Sequence, residues 1–137
     1  MTKTTASNDS VSSSVSPEAH LPPCPRSPNC VSTQAERPSQ RMEPIPYQGS
    51  LAEARERMLR VLRVHPRTTI VKEGPALIQA ECRSFLLRFV DDVEIRFDDA
   101  AKLIHFRSAS RLGRRDFGVN RNRMDEIRAA FLAAAGA

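Results

Sequence analysis

The chain of 137 residues has no tryptophan and one tyrosine, and aromatic residues make up only 5% of it. Modules that bind single-stranded nucleic acid stack the bases on exposed aromatic side chains. Here only Phe106 and Phe117 flank the most basic segment, and they form no recognisable stacking platform. The composition therefore argues against nucleic acid as the partner, although a net charge of +5 favours polyanions in general.

Long apolar runs are also missing. A membrane-spanning helix needs about 18 or more consecutive apolar residues, and no segment approaches that length. A secretory signal needs an apolar core of about 7–15 residues, which Met1–His20 does not contain. The sequence accordingly predicts a soluble, cytoplasmic protein without a membrane span.

Enzyme signatures are absent as well, since the sequence contains no GxSxG, Walker, GxGxxG or HExxH pattern. His105, with Asp116 further along the chain, offers only a conceivable His/Asp/Ser arrangement. We therefore predict no catalytic residue, no metal site and no cofactor, and the question of enzymatic activity stays open but leans towards none. A hydrolase-like or thiol-dependent enzyme using Cys24, Cys30 or His105 is the less favoured alternative.

Cys24 and Cys30 are separated by five residues in a proline-rich stretch. Without a histidine or a second cysteine pair nearby, they do not complete a four-coordinate zinc site. Four interpretations stay open: thiols packed under the loop, a disulfide, a redox or catalytic pair, and metal ligands. A reducing cytosol argues against the disulfide, and Cys82 is interpreted as a small buried apolar residue in a strand.

Composition divides the chain into three parts. Residues 1–21 contain many serines and few apolar residues, which predicts a disordered tail. Residues 22–49 hold most of the prolines and predict an extended strap. Residues 50–135 contain most of the apolar residues and predict one small domain, of a size that folds alone but with little stability to spare.

Within that domain, the fold class predicted is α+β. Ser50 followed by Glu53 forms a capping box for a first helix, and a second helix begins near Asn120. Between them lie three or four short antiparallel strands, which gives the order α-β-β-β-(β)-α. We expect an irregularity at Asp91-Asp92, because an unpaired carboxylate on a core face is costly.

The segment from Arg107 to Arg123 carries most of the net positive charge and joins the last strand to the last helix. Arginines in the first turn of a helix are disfavoured by the helix dipole, which suggests that an anion is shared there. Residues predicted to bind this anion are Arg107, Ser108, Ser110, Arg111, Asn120, Arg121 and Arg123. Acids predicted to orient the segment are Asp91, Asp92, Glu94 and Asp116.

The sequence therefore predicts a binding module for an anionic small molecule, a lipid headgroup or an acidic protein. The main alternative is a structural or interaction protein in which the same segment forms an internal network of arginines and acids. Both can hold together, if the acids orient some of the arginines and leave others free for a ligand. The two alternatives differ in whether Arg111, Arg121 and Arg123 line a pocket or pair with the acids.

Three stretches resemble a known family: Cys24-Pro-Arg-Ser-Pro-Asn-Cys-Val-Ser, Phe89-Val-Asp-Asp-Val-Glu, and the long segment from Arg107 to Arg123. They are similar to the bacterial and plastid family catalogued as domain of unknown function 1499, over roughly residues 22–133. The resemblance implies one compact α+β domain and no established activity. It also implies export in some relatives, which is the alternative to a cytoplasmic location.

Overall fold

The computed structural model describes residues 15–84, 89–112 and 118–135. It is an α+β fold in which two helices pack on an antiparallel sheet. A short 3-10 turn, Pro17–Ala19, precedes the regular elements. In chain order the elements are β1 (Cys30–Ser32), β2 (Ile45–Pro46), α1 (Leu51–Val64), β3 (Thr68–Gly74), β4 (Leu77–Arg83), β5 (Val90–Asp98), β6 (Leu103–Ser110) and α2 (Val119–Ala135).

The sheet has six strands where the sequence predicts three or four. The order across it is β1-β6-β5-β4-β3, and β2 also pairs with β6. The two additional strands come from the proline-rich strap: Cys30 lies opposite Ala109, and Ile45 lies opposite Ile104. They precede α1, so the predicted order with a helix at the N-terminus is corrected. Strands of three and two residues are too short to show an alternating pattern in the sequence.

Strand β5 is regular at the position where we expected an irregularity. Asp91 lies opposite Cys82 of β4 and Ser110 of β6, in continuous register with its neighbours. The expectation fails because the buried carboxylate is not unpaired: its Oδ2 lies 2.7 Å from Nη2 of Arg123. The register shift occurs in β3 instead, where Val71 is the extra residue and is 51% exposed.

The hydrophobic core lies between the helices and one face of the sheet. The inner face of β5 contributes Val93, Ile95 and Phe97, and the helices cover it with residues at helical spacing. The buried helix residues are Ala54, Met58, Leu59, Val61 and Leu62 of α1, and Met124, Ile127 and Phe131 of α2. The opposite face of the sheet carries polar residues, as is usual for an antiparallel sheet with one solvated face.

Helix α1 begins at the predicted capping box. The Ser50 hydroxyl accepts the Glu53 N–H at 3.1 Å, and the Glu53 carboxylate accepts the Ser50 N–H at 3.0 Å. At the other end of the helix, His65 Nε2 lies 3.2 Å from a Glu126 carboxylate oxygen, which links α1 to α2. The Arg57 guanidinium lies over the Phe131 ring, 4.9 Å from its centre. The two helices are therefore antiparallel, because contacts nearer the start of α1 meet residues nearer the end of α2.

Residues Val15–Leu21, which the sequence assigns to a disordered tail, pack against the polar face of the sheet. Ser16 donates two hydrogen bonds to the Asp98 carboxylate, from its N–H at 3.0 Å and from its hydroxyl at 2.7 Å. The Leu21 N–H donates to Gln34 Oε1 at 2.9 Å. Polar anchors of this kind carry no hydrophobic signal, so composition alone misplaces the boundary. Residues 1–14 lie outside the described residues.

Antiparallel topology gives the molecule two distinct ends. At the Arg111 end, α1, β4 and β6 finish and β3, β5 and α2 begin. At the Asp98 end, β3 and β5 finish, α1 begins, and the β5–β6 turn follows.

Candidate functional site

Four of the predicted anion-binding residues lie on the helix side of the sheet and form a buried network. Arg123 Nη1 donates to Asn120 Oδ1 at 2.9 Å and to the Ser108 hydroxyl at 3.2 Å. Asn120 donates in turn to the Ser110 hydroxyl at 3.1 Å. The Arg123 guanidinium and the Asp91 carboxylate, which are 8% and 6% exposed, form an ion pair under this network. These donors are used internally, which is the usual condition for buried charges.

Arg111 lies on the opposite, polar face of the sheet. Its Nε and Nη2 donate to the two oxygens of Asp92 at 2.8 and 2.9 Å, and Nη2 also donates to Glu81 at 2.6 Å. This bidentate hydrogen bonding is the strongest arrangement of an arginine and a carboxylate. The hydrogen bonds to Asp92 and then Glu81 raise the pKa of Arg111 further above its usual range. The side chain remains 47% exposed and can contact a partner.

Arg107 and Arg121 donate to backbone carbonyls of the strap. Arg107 Nη2 reaches the Pro23 carbonyl at 3.2 Å, and its buried Nε has no hydrogen-bond partner among the described residues. Arg121 Nη2 reaches the Ser39 carbonyl at 2.8 Å and the Arg41 carbonyl at 3.4 Å. Both arginines therefore fasten the strap to the domain.

The structure thus distributes the predicted site over three places and does not gather it in one pocket. Glu94, which we expected to orient the Arg-rich segment, instead accepts from Arg96 Nε at 2.6 Å and from Gln79 at 3.2 Å. Gly118 has the left-handed φ of +79° that its position before α2 requires. Asp116 and the two neighbouring arginines, Arg114 and Arg115, lie outside the described residues.

Cys24 and Cys30 form a disulfide, with their Cα atoms 5.8 Å apart. Of the four interpretations of this pair, the structure therefore has the disulfide. Cys82 is buried in β4, and burial raises the pKa of its thiol, so it does not resemble a reactive thiolate. No cluster of three or more metal-ligating side chains occurs in residues 15–84, 89–112 and 118–135.

His105 is held by Thr33 and not by a serine. Its Nδ1 lies 2.8 Å from the Thr33 hydroxyl, which already accepts the Phe106 N–H at 3.2 Å. Burial lowers the pKa of the imidazole, with Asp98 opposing that effect. Asp98 uses its carboxylate oxygens on Ser16 and on the Ala101 N–H. This arrangement joins the strap to β6 and differs from a hydrolase triad, in which the carboxylate bonds the imidazole.

One protein family matches the part of the chain that contains this fold and these networks. The model of the family described as "Protein of unknown function (DUF1499)" matches residues 20–131, which include the strap, the sheet and most of α2. The chain belongs to this family. A search of curated proteins finds no match. Among the described residues, neither helix is long and apolar enough to cross a membrane.

In this member of the family, sequence reasoning missed a set of exposed apolar side chains at the Arg111 end. Leu112 is 69% exposed, Phe89 is 47% exposed and Val119 is 44% exposed. At the end of α1, Val64 is 82% exposed. The only available signal was Leu112 itself, a leucine within a run of arginines, because the alternation around Phe89 suggested a core position.

Charge is separated between the two ends of the molecule. The described residues of segments 63–68, 81–92 and 110–123, which meet the Arg111 end, include six arginines and three acids, a surplus of three positive charges. Segments 43–56, 73–77 and 97–103, which meet the Asp98 end, contain six acids and two basic residues. Hydrogen bonds from Lys102 and Tyr47 lower the pKa of Asp99, so this end stays negative at neutral pH.

Proposed function

We propose that this chain is a binding module whose Arg111 end receives an acidic ligand or partner. One observation carries the proposal: among the described residues, a surplus of positive charge and most of the exposed large apolar side chains occur at the same end. Separation of charge on this scale steers an acidic partner towards one end of a protein. The function proposed from the sequence is retained, but the contact surface moves from a pocket to an end of the sheet.

The buried network has a supporting role in this proposal. Arg123 and Asp91 fix α2 to β5, and Asn120 links the start of α2 to Ser108 and Ser110 of β6. The start of α2 is thus held against β5 and β6. We expect Arg111 and its neighbours, and not Arg123, to contact the partner, because Arg123 is 8% exposed and already paired.

A purely structural role for the Arg-rich segment is the second candidate. It is favoured by the internal partners of Arg111, Arg121 and Arg123, each of which donates to side chains or carbonyls of the same chain. In that case the Arg111 end would have no ligand, and its variants would change stability without changing binding.

The disulfide bears on where this binding takes place. The sequence predicts a cytoplasmic protein, but disulfides persist mainly in oxidising compartments. A bond that joins the strap to β1 would be exposed to reduction in the cytosol. We therefore favour a compartment in which Cys24 and Cys30 remain oxidised.

Charge reversal tests the proposed function. Arg63 and Arg83 are exposed at the Arg111 end, while Arg37 and Lys72 are exposed elsewhere. We expect Arg63→Glu with Arg83→Glu to weaken binding of fluorescent polyglutamate by about tenfold at low salt. The matched control, Arg37→Glu with Lys72→Glu, removes the same net charge and is expected to have a much smaller effect. Equal weakening in both variants would mean that net charge alone drives the binding, and the proposal would fail.

A further inference from the structure

We propose that the acidic partner of the Arg111 end is the surface of an anionic lipid bilayer, into which Phe89 and Leu112 insert. This inference rests on the proposed function and narrows it to one class of partner. A bilayer would also use the exposed apolar side chains of this end, which binding of an acidic small molecule would not need.

Phe89 and Leu112 lie side by side at the end of the sheet. The Arg111 N–H donates to the Val90 carbonyl at 3.1 Å, which continues the pairing of β5 and β6 by one step. Phe89 precedes Val90 and Leu112 follows Arg111, so these two residues are also neighbours across the pair of strands. Their exposed fractions of 47% and 69% leave both side chains accessible.

Exposed apolar side chains are unevenly distributed over the molecule. Six large ones are exposed among the described residues, and four of these lie at the Arg111 end: Val64, Phe89, Leu112 and Val119. Single exposed apolar residues are normal on a soluble protein. Their concentration at one end, together with the positive charge, is typical of an interaction surface.

The size of the surface favours a bilayer over a protein. A stable protein interface buries about 800 Å² on each partner, and a few side chains at strand ends do not provide that area. Interfacial binding to membranes needs less, because a few inserted apolar side chains add to the attraction of basic residues for anionic lipids. Arginine also suits phosphate groups, since its guanidinium donates two parallel hydrogen bonds. The negative Asp98 end would point away from the bilayer.

The absence of tryptophan from the chain allows a direct test. Leu112→Trp places a single fluorescent reporter at the Arg111 end, and Leu132→Trp places one at an exposed site near the other end of α2. We expect vesicles of phosphatidylcholine with phosphatidylglycerol to shift the emission of the first reporter to shorter wavelength and to leave the second unchanged. Vesicles of phosphatidylcholine alone are expected to shift neither.

A second pair of variants measures the apolar contribution. We expect Phe89→Ser with Leu112→Ser to reduce sedimentation with phosphatidylglycerol vesicles by about tenfold. Val71→Ser with Leu132→Ser removes two exposed apolar side chains from other places and is expected to have little effect. Equal losses in the two variants would overturn the inference.

Polyglutamate separates this inference from the proposed function. If the Arg111 end binds polyglutamate but the Leu112→Trp emission does not respond to phosphatidylglycerol vesicles, the bilayer inference is overturned and the proposed function stands. If the Arg111 end binds neither, both are overturned. If vesicles bind only through the arginines, with Phe89→Ser and Leu112→Ser having no effect, insertion of the apolar side chains is overturned.

Discussion

Asp91 and Asp92 are neighbours in β5, but their side chains face opposite sides of the sheet. Asp91 is 6% exposed and pairs with Arg123, whereas the Asp92 side chain is 47% exposed and pairs with Arg111. Removal of one partner from a buried ion pair leaves an uncompensated charge, which costs far more than loss of a surface pair. Two adjacent residues of the same type should therefore differ strongly in their effect on stability.

We expect Asp91→Ala to lower the free energy of unfolding by about 3–5 kcal/mol, because the Arg123 guanidinium would remain buried without its carboxylate. Asp92→Ala is the matched control and should cost less than about 1 kcal/mol. Urea denaturation of both variants measures the difference. Similar losses would show that burial of the Asp91–Arg123 pair does not determine its importance.

His105 gives the fold a dependence on pH. Burial lowers the pKa of its imidazole in the folded state, although Asp98 partly opposes that shift. The unfolded chain therefore binds a proton more readily than the folded chain does. Stability is fully present above the unfolded pKa of about 6.5 and declines as the pH falls below it.

His105→Gln should flatten this dependence. Between about pH 7.5 and 5.5, we expect the midpoint of urea denaturation to fall less in the variant than in the parent protein, because the titrating imidazole is gone. Carboxylates such as Asp98 and Asp99 lose their contribution only at lower pH, since their pKa values are lowered. His65→Gln, which changes a half-buried histidine at the surface, provides the control. Parallel curves for the parent and the His105 variant would contradict the prediction.

At the scale of elements, sequence periodicity was informative where an element forms locally. Helix α1 has its capping box at Ser50 and Glu53, and β5 has its alternating Val93, Ile95 and Phe97. Periodicity failed where an element exists only through distant partners. The two short strands β1 and β2 of the strap pair with β6, and residues 15–21 before the strap are held by bonds such as that from Ser16 to Asp98.

The candidate site shows the same limit. The sequence identified the arginines and acids, but the alternation of a strand decides which of them share a face. Ser108 and Ser110 point to the core, and Arg107 and Arg111 point away from it. The sequence alone could not separate these residues into the two faces, because it gives neither the orientation of each strand residue nor the partner that each guanidinium contacts.

The Cys24–Cys30 disulfide should stabilise the strap. A loop closed across a separation of six residues contributes about 2 kcal/mol in the chain-entropy model. We expect reductant to lower the melting temperature of the protein, and to have no effect on the double variant Cys24→Ser with Cys30→Ser. Alkylation under denaturing conditions should label one thiol before reduction, that of Cys82, and three after it. Three labelled thiols before reduction would contradict the bond.

Truncation tests the docking of the residues before the disulfide. Deletion of residues 1–21 removes the Ser16 bonds to Asp98 and the Leu21 bond to Gln34, and we expect a lower melting temperature. Deletion of residues 1–14 keeps those bonds and should leave the melting temperature nearly unchanged. Ser16→Ala in the full chain should reproduce part of the loss, about 1 kcal/mol. Equal melting temperatures for the two truncated proteins would mean that the segment 15–21 does not stabilise the fold.

At the scale of the whole molecule, we expect the location of charged residues to affect binding more than the net charge does. The described residues of the Arg111 end carry a surplus of positive charge, while acids predominate at the Asp98 end. Charges more than about 10 Å apart are largely screened from each other at moderate salt. A partner at one end should therefore respond weakly to a charge added at the other.

Glu56→Lys tests this separation, because Glu56 is an exposed residue of α1 near the Asp98 end. The substitution adds two positive charges to the net charge, but we expect the affinity for polyglutamate at about 0.1 M salt to change by less than about twofold. Asn122→Lys would add one positive charge near the start of α2 and should strengthen binding more, although its change in net charge is smaller. The two affinities, measured over a series of salt concentrations, show whether the position of an added charge or the change in net charge has the larger effect on binding. Stronger binding by Glu56→Lys than by Asn122→Lys would mean that the molecule attracts acidic partners through its total charge, with no preferred end.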